Sequence, residues 1–284
     1  MLLHRQRVLL EFLRLAGRPV GKIELMKWAF LLKLETSSCG GSSFYEFVPY
    51  HYGPYSFGLT REAQALENSG FLKSNAKSWE GNPKAKRSSL PTDLESDVEQ
   101  IVERFRGVSS SELFRRVYRS QVSYTVNSNI ERLAVRAVGT PGIYTVGYEG
   151  RQLDGLLDVL VQAGIRRLVD VRRNPVSRRF GFHKSTLARH CTLLDIEYIH
   201  VPELGIASEE RSHLSATRNY AELFARYERD TLIEQSGHVE RVAAWMRTSA
   251  TAIMCMERDV CDCHRGRLAN RIHELSKLPV IHLL

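Results

Sequence analysis

Leu9, Phe12, Leu13 and Ala16 recur at helical spacing, and Gly17 is placed to end the run, so the chain opens on a predicted helix. Ile23, Met26, Phe30 and Leu34 form a second stripe of the same period. Residues 44–55 are aromatic and β-branched, broken by Pro49 and by Gly53-Pro54, and read as one or two short strands with a turn. Leu59, Ala63 and Leu66 mark a third helix stopped by Gly70. Helix, helix, strand and helix in so short a span predict a small winged-helix-like or helix-turn-helix-like module. Residues 74–96 are polar, basic and rich in Ser, Pro and Gly, which predicts a loop or the tip of a wing. Two further helices follow, one on Val98, Ile101, Val102 and Phe105, the other on Leu113, Phe114, Val117 and Tyr118.

The rhythm changes beyond a boundary placed in 134–141. Strands are predicted at Ile143–Val146, Arg167–Val171, Glu197–Val201, Ala252–Met256 and Val280–Leu284, with helical patterns between them. Near-continuously apolar strands separated by helices argue a parallel sheet covered on both faces. The expected fold class is therefore α/β. A mainly helical, winged-helix-like domain over residues 1–135 precedes a Rossmann-like α/β domain over 142–284.

Composition narrows the picture. The 284 residues carry 43% hydrophobic and 25% charged side chains, average globular usage that excludes extensive disorder. A net charge of +8 favours a polyanionic partner such as nucleic acid, though so modest an excess is also common on other soluble proteins. No apolar run approaches a membrane span, and the charges at His4, Arg5, Arg7, Glu11 and Arg14 make the N-terminus an amphipathic helix rather than a secretory signal. Five cysteines, three of them within 255–263, do not form a disulfide framework, so a cytoplasmic protein is expected.

In an open parallel sheet, ligands bind beyond the carboxyl ends of the strands. Those ends carry Gly147-Tyr148-Glu149-Gly150, the run Asp170–Arg179, His200 with Glu203-Leu204-Gly205, and Cys255 and Glu257 followed by Cys261, Cys263, His264 and Arg265. These motifs, spaced in order over 143–284, resemble the family called domain of unknown function 488: a Gly-Tyr-Glu-Gly-like turn, a DVR-x-x-P-x-SR motif, Tyr198–Gly205, and Cys255/Glu257 with Cys263-His264-Arg265. The resemblance implies a Rossmann-like domain and the position of its site. The N-terminal half resembles Panacea-type antitoxin domains at Tyr52-Gly53-Pro54 and Tyr124–Ser128.

Asp170 and Glu257 stand at the ends of buried strands, where partial desolvation suits a carboxylate to acid–base work, and Glu149 in its glycine-flanked turn is a third candidate. A salt bridge to Arg172 or Arg265 is the competing role. Arg172, Arg173, Arg178 and Arg179, with Asn174 and Ser177, form a loop suited to phosphate, and His264 and Arg265 at a helix start suit an anion. Tyr148 and Phe182 are candidates to stack on a base. Cys255, Cys261, Cys263 and His264 lack the knuckle spacing of a structural zinc site, and four ligands so close in sequence would strain a tetrahedron, so no metal and no cofactor are assigned. Cys263 beside His264 also invites a thiolate reading. In the N-terminal half, Tyr45, Phe47, Tyr50, His51, Tyr52 and Tyr55 offer rings for stacking or for core packing. Lys77, Lys84, Lys86 and Arg87 would suit a wing touching DNA.

Carboxylates among arginines on a basic chain suggest a DNA glycosylase hydrolysing the base–sugar bond of a modified base, an activity that would fit antiviral defence. Two rivals are a DNA-binding regulator with a nucleotide- or ligand-sensing α/β domain, and a nuclease or thiol- or metal-dependent enzyme. Dinucleotide binding is unsupported, since no G-x-G-x-x-G follows the first strand. Oligomeric state is not legible.

Overall fold

The computed structural model describes residues 2–84, 89–207 and 220–283. The chain divides into two compact units, Met1–Val135 and Arg136–Leu284.

The first unit runs α1 (His4–Ala16), β1 (Val20–Gly21), α2 (Lys22–Glu35), β2 (Val48–Tyr50), β3 (Gly53–Tyr55), α3 (Phe57–Asn68), β4 (Leu72–Ser74), β5 (Ser78–Gly81), α4 (Thr92–Phe105) and α5 (Ser110–Ser120). Strands β1, β5 and β4 form an antiparallel sheet in that order. Helix, strand, two helices and a hairpin closing on the first strand give a winged-helix topology, with the β2–β3 hairpin inserted between α2 and α3. α1 ends where expected, on Gly17 at φ 62°. Ser56 caps α3 by accepting from the Leu59 backbone N–H at 3.2 Å. Glu62 of α3 takes Arg5 of α1 at 2.6 Å and the Tyr45 hydroxyl at 2.8 Å, tying both to a shared buried carboxylate.

One expectation needs correction here. α2 is not amphipathic: Leu25 through Leu32 are all buried, while Ile23 and Leu34 of the predicted stripe are 41% and 40% exposed. A helix enclosed on all sides has no polar face to mark its period. Of the two readings of the stretch 74–96, the wing tip holds. Asn75 Oδ1 accepts the Lys77 and Ser78 backbone N–H groups at 2.8 Å, closing a tight β4–β5 turn, and α4 has begun by Thr92. Lys77 sits at that turn and Lys84 in the coil beyond β5. Lys86 and Arg87 lie outside the described residues. Of the rings offered for stacking, Tyr45 and Phe47 are core, whereas Tyr52 is exposed.

The second unit runs β6 (Gly142–Gly147), α6 (Leu153–Gln162), β7 (Arg167–Asp170), α7 (Lys184–Thr192), β8 (Glu197–His200), α8 (Tyr220–Arg226), α9 (Ser236–Thr248), β9 (Ala250–Cys255), α10 (His264–Ser276) and β10 (Val280–Leu283). Its five strands form a wholly parallel sheet in the order β10-β6-β9-β7-β8. Val242, Ala243 and Met246 of α9 and Leu268, Ala269 and Ile272 of α10 pack with Ile143, Val169 and Ile253 in one core layer. The chain leaves β6 and β7 in one direction along the sheet and leaves β9, which lies between them, in the other. Connections that diverge around a central strand open a crevice at its carboxyl end. Among the described residues, no helix is long and apolar enough to cross a membrane.

Candidate active site at the carboxyl end of the central strand

Residues two apart on an extended backbone point to the same side. At the end of β7 this spacing joins Asp170 to Arg172. The guanidinium binds the carboxylate at both ends, Nε to Oδ1 at 2.8 Å and Nη2 to Oδ2 at 2.5 Å, and the Arg172 backbone N–H adds a third bond at 3.1 Å. Tyr198 of β8 donates its hydroxyl to Oδ2 at 2.6 Å. Asp170 is fully buried and Arg172 nearly so. Burial alone would lower the Arg172 pKa, but the hydrogen bonds and charge of Asp170 win and raise it. Nη1 of Arg172 is spent on the Phe182 carbonyl at 2.9 Å and the Tyr148 hydroxyl at 3.2 Å. The competing role therefore prevails at this pair: Asp170 has four donors on its two oxygens, and four of the five guanidinium N–H groups of Arg172 are spent within the cluster.

Tyr148 and Phe182 are also turned inward. Their rings stack on each other at 4.3 Å and 17°, both buried, so neither presents a face to a base. Arg179 lies over both rings and donates to the Tyr148 carbonyl at 3.3 Å. Asn174 and Ser177 brace their own loop by accepting the Val176 and Arg179 backbone N–H groups. Arg173, Arg178 and Arg179 are all exposed, Arg179 engaged as above and Arg173 donating to the Pro202 carbonyl at 3.3 Å.

The second two-residue spacing, at the end of β9, joins Cys255 to Glu257. Cys255 donates its thiol to Glu257 Oε2 at 3.1 Å, and Cys263, the N-cap of α10, donates to the same oxygen at 3.0 Å. His264, the first residue of α10, has Nε2 3.3 Å from the Val171 carbonyl. A carbonyl only accepts, so Nε2 carries the proton and Nδ1 is turned toward Cys255 Sγ, 3.8 Å away. The Cys255, Cys263 and His264 donor atoms all lie within 4.8 Å of one another, and all three residues are buried. The hydrogen bond from Cys263, together with His264, pulls the Cys255 pKa well down. Burial pushes Cys263 up, and burial with the Cys255 charge raises Glu257. Negative charge in this cluster lies next to an imidazole and a helix N-terminus that favour it.

Glu257 is half-buried, whereas Cys255, Cys263 and His264 are fully buried. The Glu257 loop is held from two sides. Arg265, buried, donates to the Glu257 carbonyl at 2.5 Å and the Arg258 carbonyl at 2.9 Å, which makes it a brace for the loop rather than a phosphate ligand. From the β6 side, Glu149 Oε2 accepts the Arg258 N–H at 3.0 Å, and the Tyr148 and Glu149 N–H groups reach the Met256 carbonyl. Glu149, exposed and engaged this way, latches the two strand exits together. Cys261 is exposed, so the four-ligand set of Cys255, Cys261, Cys263 and His264 does not assemble; Glu257 takes the place beside the other three. Sequence reasoning missed Tyr198 as the partner of Asp170 and the Val171 carbonyl as the group that orients His264. It also missed Glu257 as acceptor for both thiols. The alternation of strand side chains was the available signal for the Cys255–Glu257 and Asp170–Arg172 pairs.

Residues 152–272 match the family model described as domain of unknown function DUF488. The match bears out the resemblance in the C-terminal half and spans both the Asp170–Arg172 pair and the Cys255–His264 cluster. No curated protein and no solved structure shows detectable similarity to the chain.

Proposed function

We propose that this protein is a DNA-directed hydrolase that cleaves the base–sugar bond of a modified base, with Glu257 as the residue that activates water. The observation that supports this most is the contrast between the two strand-end carboxylates. Asp170 is fully buried in an ion pair, while Glu257 is only half-buried, on a braced loop at the end of the central strand. Base–sugar hydrolysis asks for an activated water and a carboxylate beside the reacting carbon, held without slack. Arg173 and Arg178, exposed at the neighbouring strand end, suit the phosphates that flank a flipped nucleotide. The winged-helix unit adds a surface for duplex DNA: Arg61, Gln64 and Asn68 are exposed along α3, with Lys77 at the wing.

The test is to incubate zinc-supplemented full-length protein with unmodified DNA and with phage DNA carrying modified bases, then assay alkali-labile sites and free base by mass spectrometry. Free modified base with matching abasic sites is the expected result. Intact DNA of both kinds would overturn the proposal.

A further inference from the structure

We infer that Cys255, Cys263 and His264 bind a zinc ion through three protein ligands, with Glu257 beside the metal as its proton carrier rather than a ligand. This rests on the hydrolase reading for the reaction, and on geometry alone for the site.

The donors are two sulfurs and one imidazole nitrogen, a set that suits zinc, and their mutual separations stay within 4.8 Å. A tetrahedral zinc site needs its donors about 3.3–4 Å apart, given bonds of about 2.0–2.3 Å, so small side-chain adjustments close the site. His264 is already oriented for ligation. Its Nε2–H is anchored on the Val171 carbonyl, which leaves Nδ1 facing the sulfurs, the arrangement by which a second hydrogen bond fixes a metal-binding histidine. Cys255 closes a strand and Cys263 caps a helix, so two of the ligands sit on rigid elements whose positions the sheet and α10 determine. All three ligands are buried, a low-dielectric setting that strengthens bonds between thiolate and cation.

Three protein ligands leave a fourth position, the mark of a site that activates water rather than one that staples a fold. Glu257 borders that space, since its Oε2 lies 3.1 and 3.0 Å from the two sulfurs. Water there gives a proton to Glu257; the hydroxide forms a C–O bond to the reacting carbon as the C–N bond breaks, and Glu257 passes the proton to the leaving nitrogen.

The experiment strips full-length protein with chelator and titrates it with cobalt(II), which reports thiolate ligation by near-ultraviolet charge-transfer absorption. The expected spectrum saturates at about one equivalent and is bleached by zinc. Cys255→Ser and Cys263→Ser should each lose about half the charge-transfer intensity, and both, with His264→Gln, should bind at least about 10-fold more weakly. Glu257→Gln should bind cobalt within a few-fold of the parent, and Cys191→Ser, a buried thiol elsewhere in the unit, should leave the spectrum unchanged. Circular dichroism of each variant separates lost ligation from lost fold. No charge-transfer band, or a band indifferent to Cys255 and Cys263, would overturn the site. Loss of cobalt in folded Glu257→Gln as complete as in Cys255→Ser would make Glu257 a ligand and overturn its assigned role. A protein that releases base but binds no cobalt would defeat the metal and keep the hydrolase; cobalt binding without base release would do the reverse.

Discussion

Asp170 and Glu257 occupy equivalent places, each at the end of a strand with a reactive or charged neighbour two residues away, yet their environments separate them. Asp170 is matched by a buried guanidinium, and removing one member of such a pair leaves the other charge uncompensated, at a cost of about 3–5 kcal/mol. Asp170→Asn and Arg172→Met should each lower the unfolding free energy by that much, read as a drop in the denaturant midpoint. If Asp170→Asn keeps the parental midpoint but loses base release, Asp170 is a reacting group and the assignment made here is wrong. Lys27 is a second residue-scale case. It is buried on α2 with its Nζ donating to the Tyr52 and Pro54 carbonyls, and burial lowers its pKa to about 7. The unfolded chain, with an ordinary lysine, binds more protons between pH 7 and 10, so stability should rise with pH across that window, by up to about 1.4 kcal/mol per unit. Urea unfolding at several pH values should show this slope, and Lys27→Met should flatten it. The pairings themselves were only partly legible: the residues at the strand ends were readable as candidates, but which carboxylate would be sealed depended on Tyr198 and Phe182, brought in from β8 and the loop after β7.

At the scale of elements, the five parallel strands were readable to within one or two residues: β6, β7 and β9 are buried and almost wholly apolar, and the half-exposed edge strands β8 and β10 keep apolar residues between turn signals. α2 was misread for the same physical reason acting in a helix, where burial all round erases the stripe. The strand exits are where elements become a site. Gly147, last residue of β6, passes so close to the β9 exit that a Cβ would fall 1.9 Å from the Glu257 carbonyl. Gly147→Ala must push the Glu257 loop away, with an expected cost of about 1–3 kcal/mol and a weaker metal titration. Parental stability together with parental cobalt affinity would show that the two exits are not mechanically coupled.

For the whole molecule, a basic chain that joins a winged helix to a crevice rimmed by arginines should bind duplex DNA with strong salt dependence. Lys77→Glu at the wing should weaken binding to all sequences alike and reduce the slope of log K against log salt by about 1. An unchanged slope would remove the wing from the interface. The central claim is that chemistry resides in the cluster at the end of β9, and cysteine position offers the most direct test of it. Single-turnover base release should be compared for the parent, Glu257→Gln and Cys261→Ser on the same modified DNA. The account predicts that Glu257→Gln is slower by about 10²–10⁴-fold while Cys261→Ser, outside the cluster, keeps the parental rate. A Glu257→Gln protein as fast as the parent, or a Cys261→Ser protein as slow as Glu257→Gln, would contradict it.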